Sequence, residues 1–210
     1  MYSPKQTKEK VLFDGSFASG DFLKWNVVND DVNQWIVGDQ TTYDGNFAAY
    51  ISNDGHTNAY TPTSAQVSHI YFDVDFPRLL SSADLEFEFK CLGEPEKATM
   101  RVYMMDPFDE PQPGVAVDNE FSIGSQFYQR TVKKSTGVLF FRKTVEQTVY
   151  DYQASPVWRK EYISLDLSGI RNRTKRFVFS WINTSKRSDL NPPIAIDNVR
   201  VSTIIPIINH

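Results

Sequence analysis

The chain has 210 residues, with 22 Lys and Arg against 26 Asp and Glu and a net charge of −4, and neither sign forms a long block. That balance excludes the electrostatic footprint of a nucleic-acid binder or of a protein held on acidic lipid, and it suits a soluble or metal-binding surface. Cys91 is the single cysteine, so no intrachain disulfide forms, and in an alternating strand it reads as a small core residue rather than a nucleophile.

The start, Met1 to Lys10, lacks the apolar core of an export signal, and no stretch approaches the ~20 apolar residues of a membrane span, which argues against membrane insertion. Two explanations stay open: a cytoplasmic protein, or a piece of a longer exported one. The apolar ending Ile204 to His210 carries no turn or cap and favours the second. The length suits one large β domain. We expect a flexible segment over 1–9, a sandwich over 10–203 and a linker or tail over 204–210.

In chain order, strands are expected over Lys10 to Asp14, Trp25 to Val28, Gln34 to Val37, Phe47 to Ser52 and Gln66 to Phe76. Ala83 to Cys91 alternates cleanly, with Leu85, Phe87, Phe89 and Cys91 on one face and Asp84, Glu86, Glu88 and Lys90 on the other, the pattern of a half-buried antiparallel strand. Met100, Val102 and Met104 repeat that alternation, and further strands are expected over Trp158 to Leu167, Arg176 to Asn183 and Ile194 to Ser202. Turn residues such as Asp44-Gly45, Asn53-Asp54-Gly55 and Asn191-Pro192-Pro193 punctuate the gaps. Helical periodicity is nearly absent, so the pattern points to an all-β, two-sheet antiparallel sandwich. Asp118 to Ser155, rich in Thr, Lys and Gln, with Tyr128, Phe140, Phe141, Tyr150 and Tyr152, reads as an extra pair of strands or a long hairpin with some exposed aromatics.

The last strand places an acid among apolar residues. With a period of two, Ala195, Asp197, Val199 and Val201 share one face. If that face is inner, Asp197 is buried, and burying even a neutral polar group without a partner costs roughly 2 to 7 kcal/mol. A calcium ion between strands would satisfy it, as would a backbone N–H or an arginine.

Placed in order, the fragments Phe13-Asp14, Trp25, Gln34 to Gly38, Ala49 to Gly55, Leu85 to Phe89, Gly93-Glu94, Arg101-Val102-Tyr103, Trp158, Phe177 to Trp181 and Pro192 to Val199 resemble the MAM-type and cleaved-adhesin-type jelly rolls of secreted and surface proteins. The animal MAM domains rely on paired cysteines that this chain lacks, so the bacterial branch is the closer match, and Asp118 to Ser155 has no counterpart there. The resemblance implies a jelly-roll sandwich acting as a binding or adhesion module of a secreted or cell-surface bacterial protein, beside neighbouring domains of a larger chain. It also implies a structural calcium between the first strand, an early loop and the last strand. Asp14 and Asp197 match those family positions, and the turn Asp44-Gly45-Asn46 supplies further oxygens to the set Asp14, Asp44, Asn46 and Asp197.

Catalytic signatures are missing. There is no Gly-x-Ser-x-Gly elbow, no Gly-rich phosphate loop and no zinc spacing among His56, His69 and His210, and the loop Ser52 to Asn58 lacks the spacing of an EF-hand. Glu86 and Glu88 would suit a glycosidase pair only if both lined a cleft, whereas their alternation with Phe87 and Phe89 puts them on an outer face. Trp35, Trp158 and Trp181 have apolar neighbours and are expected in the core, leaving Tyr43, Tyr60, Tyr128, Tyr150 and Tyr152 as the better candidates for a ligand surface. The expected function is therefore non-catalytic recognition of a glycan or a protein surface. The alternatives are a spacer that positions a catalytic neighbour and a glycan-active enzyme.

Overall fold

Alternating apolar and polar side chains with turn residues between them produce thirteen strands in the computed structural model, which describes residues 6–63, 65–137, 142–184, 186, 188 and 190–207. In chain order these are β1 (Thr7–Asp14), β2 (Asn26–Val28), β3 (Gln34–Gly38), β4 (Ala48–Ser52), β5 (Gln66–Asp75), β6 (Ser82–Cys91) and β7 (Ala98–Met105). They continue with β8 (Ser122–Ile123), β9 (Gln129–Thr136), β10 (Lys143–Tyr150), β11 (Ser155–Asp166), β12 (Thr174–Asn183) and β13 (Ala195–Pro206). All pairings are antiparallel, and the chain is an all-β jelly-roll sandwich.

One sheet, the first, runs β11-β6-β13-β4-β3, with β1 also paired to β13; the second runs β2-β5-β12-β7-β8. The inner faces meet in one core, in which Phe87, Phe89, Leu85 and Val201 from the first sheet face Phe72, Phe177, Phe179 and Trp181 from the second. Phe87 and Phe179 pack edge to face with centroids 5.2 Å apart, a geometry worth ~0.5–1.5 kcal/mol beyond area burial. Cys91 lies in this core, where burial pushes its thiol up to about 12.

The β1–β13 ladder begins at Thr7↔Pro206, so ordered pairing reaches past the boundaries expected at residues 10 and 203. Each strand satisfies backbone groups that the other would otherwise leave open. Asp118 to Ser155 holds the β9–β10 hairpin, while Phe140 and Phe141 lie outside the described residues. Among the described residues no helix is long and apolar enough to cross a membrane.

The outer face of the second sheet is covered. Val117 and Phe121 pack on Tyr71, Tyr103, Met105 and Val178. Buried His69 is held between Ser180 Oγ (2.7 Å from Nδ1) and the carbonyls of Gln112 and Val115 (both 3.1 Å from Nε2). Two carbonyls at Nε2 require the proton there, so Nδ1 accepts from Ser180. Beside this cover Asp151, 1% exposed, accepts from Arg101 Nε at 2.6 Å and from Arg130 Nε at 2.7 Å, which pins the β9–β10 hairpin to the sandwich.

Candidate functional site

The first sheet leaves the outer side chains of β11 accessible, and a β-bulge in β13 decides what stands beside them. Between Asp197↔Glu88 and Arg200↔Glu86, β13 spends three residues against two on β6, with Asn198 in the left-handed region at φ 49°. The extra residue reverses the alternation. Ile194 and Ile196 before the bulge and Val199 and Val201 after it all enter the core, whereas Asp197 and Arg200 stand opposite Glu88 and Glu86 on the outer face. The expectation that Asp197 shares an inner face with Val199 and Val201 is thus corrected. Period two holds only where the ladder is regular.

Asp197 is nonetheless buried, 2% exposed, because the turn before β4 folds over it. Its carboxylate accepts from Asn198 N at 2.8 Å and Tyr43 N at 3.4 Å, and Asn198 Nδ2 donates to Asp44 Oδ1 at 3.1 Å. Burial pushes the Asp197 carboxyl above its usual range. Burial also raises Glu88, 6% exposed, and the nearby charge of Asp197 adds to that rise against the opposing pull of Lys160. Asp14 faces elsewhere. It is exposed, accepts from Ser16 N at 3.2 Å, and its strand position is opposite Arg200 rather than Asp197. Asn46 is exposed at the turn. Of the four expected calcium ligands the fold gathers Asp44 and Asp197, and among the described residues no three acidic, His or Cys side chains converge as a metal-holding group.

A second irregularity builds the exposed part of the face. Between Ser155↔Cys91 and Arg159↔Phe89, the edge strand β11 uses four residues where β6 uses two, and Pro156 has no N–H to give the ladder. The bulge pushes Val157 out, 59% exposed, and leaves Trp158 half-buried on the surface. The core placement expected for Trp158 is corrected; Trp35 and Trp181 are in the core. Trp158 meets the ring of Tyr43, itself 47% exposed, edge to face at 5.8 Å. Lys160 Nζ pairs with Glu86 Oε2 at 2.7 Å, and Arg200 bridges Glu86 and Glu9.

Round the start of β11 opens a cleft of about 560 Å³ lined by Phe127, Tyr128, Gln153, Ser155, Arg159, Lys160 and Glu161. Phe127 stands almost wholly in solvent at 95% exposure, and Tyr128 is seated against Phe89 and Tyr152 at 5.4 and 4.8 Å. Glu161 lies at the buried end of the lining, 4% exposed, accepting from Ser125 N at 2.9 Å and Tyr152 Oη at 3.0 Å. Burial raises its carboxyl above the usual range, and burial followed by the Glu161 charge holds the Tyr152 hydroxyl protonated. Arg159 has no ion-pair partner among the described residues.

Of the tyrosines expected at a ligand surface, Tyr128 lines the cleft and Tyr43 stands against Trp158. Tyr60 (3% exposed) and Tyr152 (0%) are core residues, a correction: Tyr60 Oη donates to Ser188 O, and Tyr152 Oη to Glu161. Tyr150 packs against the core from its edge. Phe127, Arg159 and Glu161 escaped the sequence reading. Glu161 had left a signal, since it shares its alternation with Ile163 and Leu165 and so puts a carboxylate on an inward face. Phe127 left none, because a 3₁₀ turn at Gln126–Tyr128 has no strand period.

No protein-family model matches the chain, and no curated protein matches its sequence. Solved structures do resemble it. The xylan-binding domain CBM22-1 of Paenibacillus barcinonensis Xyn10C is 10% identical over 91% of this chain and 93% of its own, with a TM-score of 0.47. The K1 cleaved adhesin domain of Lys-gingipain from Porphyromonas gingivalis is 17% identical over 93% of this chain and 97% of its own, with a TM-score of 0.44. The enzymatically active domain of tailspike protein 4 from Bacteriophage CBA120 is 12% identical over 89% of this chain, which spans only 20% of that one, with a TM-score of 0.48.

Proposed function

We propose that the protein is a non-catalytic module that binds a glycan chain along the β11 edge of the first sheet, from the Tyr43–Trp158 pair into the cleft at Phe127. The observation that carries this reading is the set of exposed Phe127 and Tyr43 with half-buried Trp158, aromatic rings held at the surface by a bulge and two turns. Exposed rings beside a half-polar groove suit a flat ligand with apolar faces and hydroxyl edges, which describes a pyranose. Arg159, Gln153 and Lys160 offer donors to those hydroxyls, and Glu161 offers a carboxyl to accept or donate. Among the described residues Glu161 is the one acid in the lining of the cleft, which favours binding over glycoside hydrolysis by a carboxyl pair.

The test is titration of the purified chain with soluble xylan, mannan and β-1,4-galactan after a glycan-array screen. Phe127→Ala and Trp158→Ala are expected to weaken the best ligand at least tenfold each, about 1.4 kcal/mol, with Phe127→Ala leaving the melting temperature unchanged because its ring touches little. An array without binders, or full affinity in both variants, rejects the reading. Placement in an exported or surface protein belongs to the same proposal. Fractionation of the source cells tests it.

A further inference from the structure

At the end of the sandwich, away from the glycan cleft, the turn between β5 and β6 and the turn between β11 and β12 enclose a hollow of about 440 Å³. It is lined by Arg78, Arg171 and Arg173. The two turns are tied together. Arg173 Nη1 donates to Leu80 O at 2.9 Å and Nη2 to Arg78 O at 2.6 Å, while Phe76 N donates to Arg173 O at 2.9 Å. Arg173 is therefore a fixed guanidinium, with Arg78 and Arg171 exposed beside it.

The rest of the molecule treats its arginines differently. Arg101 and Arg130 share Asp151, Arg176 pairs with Asp73, and Arg200 pairs with Glu9 and Glu86. The three arginines of the hollow have no carboxylate partner among the described residues, and no acid appears in its lining. Three like charges round one concavity repel each other, and in a chain of net charge −4 such a cluster is a local inversion of the field. Guanidinium forks match the oxygens of a tetrahedral oxyanion in pairs, as lysine ammonium groups do not.

We propose that Arg78, Arg171 and Arg173 form a binding site for a phosphate or sulfate group, either as the free ion or as an ester on a polysaccharide. The site is independent of the neutral-glycan cleft. Arg173 orients the group, since its carbonyl contacts hold it in place, and Arg78 and Arg171 close on it from the two turns.

The test uses the whole chain and the double variant Arg78→Gln/Arg171→Gln, which spares Arg173 and its structural bonds. Inorganic phosphate is titrated by calorimetry, and retention is compared on immobilised dextran sulfate and neutral dextran at constant ionic strength. Saturable phosphate binding without dextran sulfate retention assigns the hollow to a free ion. Retention on dextran sulfate that phosphate displaces assigns it to an esterified polymer. In either case the double variant is expected to bind at least tenfold more weakly, with an unchanged melting temperature and unchanged affinity for any neutral glycan the parent chain binds. Absence of both activities, or equal activity in the double variant, overturns the proposal without touching the cleft.

Discussion

The two outer faces of the sandwich treat buried acids in opposite ways. Beside the cover of the second sheet, Asp151 is gripped by Arg101 and Arg130. On the first sheet and at its β11 edge, Glu88, Asp197 and Glu161 are as deeply buried, yet among the described residues none of them pairs with a guanidinium, and burial raises all three carboxyls. The contrast separates two uses of a buried charge. An acid clasped by two cations is a fastening, and its chemistry is spent. One that receives only neutral donors keeps a titrating proton, and Glu161 keeps it at the wall of a cleft.

Breaking the fastening should have the largest effect. Asp151→Asn leaves the largely buried Arg101 guanidinium without a carboxylate and Arg130 with only Glu96, and removing one partner of a buried ion pair costs about 3–5 kcal/mol. For a chain of this size that lowers the melting temperature by roughly 6–20 °C, measured by calorimetry. A loss below about 1 kcal/mol would place this node with ordinary surface pairs. On the open side, Asn198→Val puts a β-branched residue at a left-handed φ and removes the bond to Asp44. The expected cost is about 1–3 kcal/mol in urea denaturation, whereas Asn198→Gly should cost about 0.5–1 kcal/mol for the lost side-chain bond. Equal costs would mean that the bulge does not hold the strand.

Glu161→Gln sharpens the comparison through pH. A carboxyl raised in the folded state binds its proton before the unfolded chain does, so its contribution to stability is fully present below the ordinary value of 4.5. That contribution is lost as pH rises through the raised one. The stability of the parent chain relative to Glu161→Gln should therefore rise as pH falls from 7 toward 4.5. Buried His69, whose pKa is lowered by burial, acts in the opposite sense in both chains and cancels in the difference. A pH-independent difference would show that Glu161 does not titrate in this range. Smallest is the response to a chelator. With Asp14 opposite Arg200 and Asn46 exposed at its turn, EGTA should shift melting by less than about 1 °C, within the range of weak surface effects. A shift of several degrees with one calcium per chain would mean that the Asp44 turn closes further than its present bonds hold it.

Much of the fold was legible because alternation is a local property. Leu85, Phe87, Phe89 and Cys91 could only face inward together, and Trp158 to Leu167 announced a strand even though its first turn-like residues bulge. The candidate site was legible in part. Tyr43 and Tyr128 could be singled out as turn aromatics, but the same argument chose Tyr60 and Tyr152, which the fold buries. Arg78 and Arg171 sit 93 residues apart in sequence, and nothing local foretold that two turns would bring them to one hollow.

What the amino-acid order determined by itself was the period of two, the turn positions and hence an all-β sandwich, since each rests on neighbouring residues and their shared faces. Which face a residue finally takes was decided by the tertiary structure. One extra residue at Asp197–Asn198 moves Val199 and Val201 into the core and Asp197 out of it, and the bulge at the start of β11 turns Trp158 from a core residue into a surface one. A bulge is a property of two paired strands, and its cost and benefit exist only once the partner strand is in place.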